Sequence, residues 1–186
     1  MLVVECKKAQ ERSLLFLRPV GRDTGKVSTC TVWHFEPQSA GASFGVDMKN
    51  IDLAPSSYRA EFCVPTDQSN QRLLEKDARL VALAAQVLVD QFSKAHQLSR
   101  SFYIPAIVTT ATLYTLRYEP SEIRLETGSF DKLDTKRIEQ IRWVRFHKTF
   151  RVGDSARTVF VVNAAAVPKF LDEISRAQGL GPAVAT

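Results

Sequence analysis

At 186 residues, with 45% apolar and 24% charged side chains, the chain has the balance of an ordinary globule. That excludes disorder along its whole length and suits one domain with a real core. Lys and Arg number 25 against 20 Asp and Glu, and the net charge of +5 permits contact with phosphate without demanding it.

Cys6, Cys30 and Cys63 are widely spaced and form no Cys-x-x-Cys. Neither a disulfide framework nor a structural zinc site fits. Reduced thiols point to a cytoplasmic setting. No stretch approaches the ~18 apolar residues of a membrane span, so no membrane partner is expected. The number of associated chains is not legible.

Leu2-Val3-Val4-Glu5-Cys6 is rich in β-branched residues and predicts a buried strand. A core strand at the first residues suggests a natural domain that began further upstream. Leu14 to Leu17 predicts a second strand, stopped by Pro19 and Gly21. Cys30 to Phe35 predicts a third. Residues 36–57 are rich in Gly, Ser, Ala, Asn and Pro and read as a long loop. Arg59 to Val64 reads as another strand.

From Gln71 to about Leu98 the spacing predicts the longest helix. Leu73, Leu74, Leu80, Val81, Ala84, Val87, Leu88 and Phe92 form its apolar stripe. Two strands follow, Phe102–Thr109 and Ala111–Tyr118, the first more buried. Short strands are expected at residues 123–126 and 143–146, and a longer one over Arg157–Val162. A helix over Ala165–Ala177 turns Phe170, Leu171 and Ile174 inward, and residues 179–186 form a flexible tail. The sum is one α/β domain over residues 1–178, a mixed central sheet flanked by helices.

Strand alternation puts Glu5 and Lys7 on one face and Cys6 on the other. A carboxylate can hold a hard cation such as Mg²⁺ through oxygen. An ammonium about two residues along, roughly 6–7 Å of strand rise, can orient a water or steady developing negative charge. The plain alternative is a carboxylate and an amine at the solvated end of a strand.

Leu2-Val-Val-Glu5-Cys6-Lys7-Lys8 resembles the second half of the motif of the PD-(D/E)xK nuclease superfamily. Ala9-Gln10, Leu14-Leu-Phe-Leu-Arg-Pro19 and Tyr103 to Tyr114 also resemble uncharacterised bacterial members. The resemblance implies a restriction-endonuclease-like fold and Mg²⁺-dependent hydrolysis of a DNA phosphodiester. Glu5 would be the metal ligand and catalytic carboxylate, Lys7 the water-orienting lysine, with Gln10 close by. The family places an Asp on the strand before Glu-x-Lys, but Met1 to Val4 contain no acid. One carboxylate implies weak metal affinity, hence impaired or absent activity, in a fragment or a degenerate relative.

Asp47-Met48-Lys49 repeats the carboxylate-x-lysine pattern within the expected loop, and Asp23 sits in a Gly-flanked turn; both read as incidental. His34, His96 and His147 are scattered, and no P-loop, Rossmann or α/β-hydrolase motif occurs. Lys136, Arg137, Arg142, Arg145, Lys148, Arg151 and Arg157 are interleaved with Trp143, Phe146 and Phe150. Cations beside aromatics suit a nucleic-acid backbone with base stacking. A solvated edge strand guarded by basic residues explains the segment equally well.

Overall fold

A computed structural model describes residues 2–7, 13–19, 30–36, 45–51, 58–60, 62–65, 71–94, 101–119, 121, 123–124, 129–130, 135–152 and 155–177. The first elements are β1 (Leu2–Lys7), β2 (Ser13–Pro19), β3 (Cys30–Glu36), β4 (Gly45–Ile51), β5 (Tyr58–Ala60) and β6 (Phe62–Pro65). Helix α1 (Gln71–Lys94) precedes β7 (Ser101–Thr109) and β8 (Thr112–Tyr118). Then come β9 (Ile123–Arg124), β10 (Ser129–Phe130), β11 (Ile138–Ile141), β12 (Trp143–Val152), β13 (Ser155–Asn163) and α2 (Val167–Ala177). The chain is therefore a mixed α/β protein.

A seven-stranded sheet runs β4-β3-β7-β13-β12-β5, with β1 also paired to β7. Strands β1, β7 and β13 are parallel neighbours, and β12 lies antiparallel to β13. Pro105 stands beside Val3 of β1, one residue before pairing to β13 begins at Ala106. A proline has no N–H for a ladder, and on the β13 side Pro105 precedes the first paired residue.

A second sheet runs β11-β8-β2-β6. Its strands neighbour those of the first in sequence: β8 follows β7 after two residues, and β11 precedes β12 by one. Strands that pass from one sheet to the other at a bend make the corners of such packings. The path of the first sheet ends at β4 and β5, and β2 and β6, which follow β1 and β5 in sequence, pair with each other.

Both sheets feed one core. Phe16, Cys63, Ile107, Leu113, Ile141, Phe146, Val159 and Val161 meet Leu74, Ala78, Val81 and Ala82 of α1. Phe16 and Phe146 pack edge to face, 5.8 Å between ring centres. Helix α2 covers the opposite face of the first sheet, where Phe170 packs against Trp143 and Phe160.

Two expectations need correction. Residues 45–51, read as loop, form β4 along the whole of β3. Weak local β propensity yields to a partner strand that supplies the hydrogen bonds. The buried stripe of α1 is Leu74, Ala78, Val81, Ala82, Ala85 and Val89, whereas Leu80, Ala84 and Val87 are exposed. The core face is rotated by roughly a quarter turn from the expected one. Alanines on the inner face let the helix backbone approach the sheets closely. The helix ends at Lys94, and His96 lies outside the described residues.

Candidate functional site

Glu5 and Lys7 lie two positions apart on β1, with Glu5 beside Ile107 and Lys7 beside Thr109 in the parallel register. On the other flank of β7, Asn163 stands beside Thr109. Lys7, Thr109 and Asn163 are the last residues of their strands. They form one row across the carboxyl ends of three parallel strands, the end at which open α/β sheets hold ligands.

Asn163 is committed to structure. Its Nδ2 donates to the Ala111 carbonyl at 2.8 Å, its backbone N–H donates to the Arg142 carbonyl at 2.9 Å, and its Oδ1 accepts from the Ala165 N–H at 3.0 Å. Thr109 Oγ1 accepts from the Ala111 N–H at 3.1 Å. One asparagine thus ties the β7–β8 bend, the β11–β12 bend and the start of α2 together. The parallel strand ends are held rigidly, which is what a precisely placed site requires.

The row itself holds no carboxylate; Glu5 stands two positions before it on β1, beside Ile107. Mg²⁺ is commonly bound through one or two carboxylates together with waters and substrate phosphates. The set fits at the low end of that range. Among the described residues, no group of three or more His, Cys, Asp and Glu is placed to hold a metal ion. Gln10 and Asp23 lie outside the described residues. Asp47 and Lys49 lie on β4, beside His34 and Val32 of β3.

The basic segment is divided. Lys136 and Arg137 are exposed in a short 3-10 turn before β11, and Arg142 is exposed at the β11–β12 bend. Arg145 is 8% exposed and stands beside Phe160 and Arg59. A guanidinium enclosed in this way is not offered to a strand in solvent. Lys148 and Arg151 are on β12, and Arg157 is on β13 beside Phe150. Trp143 and Phe146 are core residues, so they give no open platform for stacked bases. Arg142 is exposed because it lies at the bend before β12, whereas Arg145 lies within β12, where both faces are covered.

Sequence reading passed over a second polar group. Arg18 at the end of β2 is buried and lies 3.9 Å from Glu139 of β11. Thr115 of β8 is buried between those strands. Arg18 reads locally as the polar end of an apolar strand, and only the sheet order brings it beside Arg117 and near Glu139. Cys63 lies in the core, where burial, with a smaller push from the Glu75 charge, raises its thiol to about 12. Such a thiol is a packing group and a poor nucleophile.

Among the described residues, no helix is long and apolar enough to cross a membrane. No family model, no curated protein and no solved structure matches the chain.

Proposed function

We propose that the chain is a PD-(D/E)xK nuclease-type protein on a restriction-endonuclease-like fold, acting on a DNA phosphodiester at Glu5 and Lys7. The supporting observation is that this Glu-x-Lys pair lies on a strand whose end aligns with the carboxyl ends of β7 and β13. Glu5 holds the cation. Lys7 orients the attacking water or offsets the charge that develops on the phosphate. When bound, Mg²⁺ polarises the phosphate and lowers the pKa of a coordinated water. A single carboxylate gives weak binding, so hydrolysis is slow or absent.

Incubation with supercoiled plasmid and Mg²⁺ or Mn²⁺ tests this reading. The expected result is slow nicking at most, reduced further in Glu5→Ala and Lys7→Ala. Equal cleavage by the parent and both variants would remove the two residues from the chemistry. Rapid cleavage lost in Lys7→Ala would show an unimpaired site.

A second reading is favoured by the exposure of Lys136, Arg137 and Arg142. It is a non-catalytic module that holds nucleic acid by its phosphates. In the same preparations, salt-dependent DNA binding that survives both substitutions distinguishes it.

A further inference from the structure

Among the described residues, the exposed large hydrophobic side chains all stand on α1: Leu80 at 52%, Leu83 at 39% and Val87 at 53%. They are spaced three and four residues apart, so they form one stripe along the helix. The stripe lies away from the core face, where Leu74, Ala78, Val81 and Ala82 meet the sheets. Ala84 is exposed in the same stripe, with Lys76 before it and Gln91 after it. Single exposed apolar residues are ordinary on a surface, but a contiguous stripe marks an interaction face.

The stripe reads the same from either end. About a point between Leu83 and Ala84, Leu80 is the counterpart of Val87, and Lys76 is the counterpart of Gln91. A second α1 laid antiparallel across this point sets Leu80 against Val87 of the second copy. It also sets Leu83 against the small Ala84. A large side chain facing a small one lets two helices approach closely.

Charge selects this direction over the parallel one. Lys76 and Arg79 are exposed at the amino-terminal half of the stripe. A parallel pair would set these cations beside their own copies. The antiparallel pair separates the two Lys76 positions by about 22 Å along the helix, well beyond the ~8 Å screening length. Asp90 stands eleven residues after Arg79, about three turns on, and so on the same flank of the helix. Across a two-fold axis like flanks meet, and Asp90 of the second copy comes level with the gap between Lys76 and Arg79. Opposed helix dipoles favour the same direction.

We propose that this face of α1 is the contact surface of a two-fold dimer, its occupant a second copy of the chain. The contact is isologous, so it closes at two chains. One helix against one helix lies at the small end of specific interfaces, so the dimer dissociates on dilution. It uses neither Glu5 nor Lys7 and stands whether or not that pair is catalytic. It leaves the fold of the single chain intact, because the stripe is outside the core.

Sedimentation velocity of the full chain over a concentration series reads the contact. The expected result is a passage from one chain to two, with nothing larger. Leu83→Lys should remain a single chain throughout, with the circular dichroism of the parent. Leu80→Ala, a milder change, should keep the fold and weaken the dimer. Arg79→Asp sets acids against each other on the flank and should weaken association by about tenfold, since each change acts twice in a two-fold pair. Arg79→Asp combined with Asp90→Arg should restore it. A single chain at every concentration overturns the proposal, as does a dimer unchanged in both Leu83→Lys and Leu80→Ala. Growth beyond two chains overturns the closed contact. Failure of the double variant to recover overturns the antiparallel direction.

Discussion

Cys63 shows how burial sets chemistry at one position. It stands beside Phe16 in the core, and its thiol is raised from 9.0 to about 12, by desolvation first and the Glu75 charge second. Between those values the unfolded chain loses this proton while the folded chain keeps it, so folding stability falls as pH rises. Below pH 9 both states hold the proton and the contribution is constant. The expected outcome is a denaturation midpoint that declines above pH 9 in the parent protein and declines less in Cys63→Ala. Peptide mapping after brief alkylation at pH 8 should find Cys63 unmodified. A reduced, unpaired thiol was legible from the spacing of the cysteines. Its inertness was not, because Phe16 and Glu75 reach Cys63 from distant parts of the chain. Likewise, alternation along residues 142–146 separates Arg142 from Arg145, but nothing local says that both faces of β12 are covered and that Arg142 lies at a bend.

Helix α1 separates two statements that periodicity merges. Its existence follows from a long amphipathic run with few breakers, and the structure has it from Gln71 to Lys94. Its inward face does not follow, because leucines and valines stand on more than one side. Leu74 is 8% exposed and Leu80 is 52% exposed. Leu74→Ala should therefore cost about 2–5 kcal/mol, since it opens a cavity against both sheets. Leu80→Ala should stay within about 0.5 kcal/mol. Urea denaturation of the two variants checks this, and equal losses would return Leu80 to the core. In α2 the inward face was legible at Phe170 and Ile174, which are buried, whereas Leu171, also expected inward, is only half-buried. A short helix with one apolar patch offers a single way to dock.

Strands β7 and β13 carry the architecture. Each is flanked on both sides, β7 by β13 and by β1 with β3, and β13 by β7 and β12. Amides in such strands open only when their neighbours do. Hydrogen exchange should be slowest at Ile107 to Thr109 and at Val159 to Val162, and clearly faster at β11 and β6 on the margins of the second sheet. Comparable rates at margin and centre would contradict the strand order. The residues themselves gave β1, β2, β3, β7, β8, β13 and both helices, since apolar runs, alternation and 3.6-residue spacing are local properties. They also gave Glu5 and Lys7 as neighbours on one strand. Partners came only with the tertiary structure: β4 exists because β3 is there to pair with it, and Arg18 stands beside Arg117 because β2 lies against β8. So did the row of Lys7, Thr109 and Asn163. Pairing joins residues about a hundred positions apart, and no spacing along the chain encodes which distant strand will satisfy a given backbone.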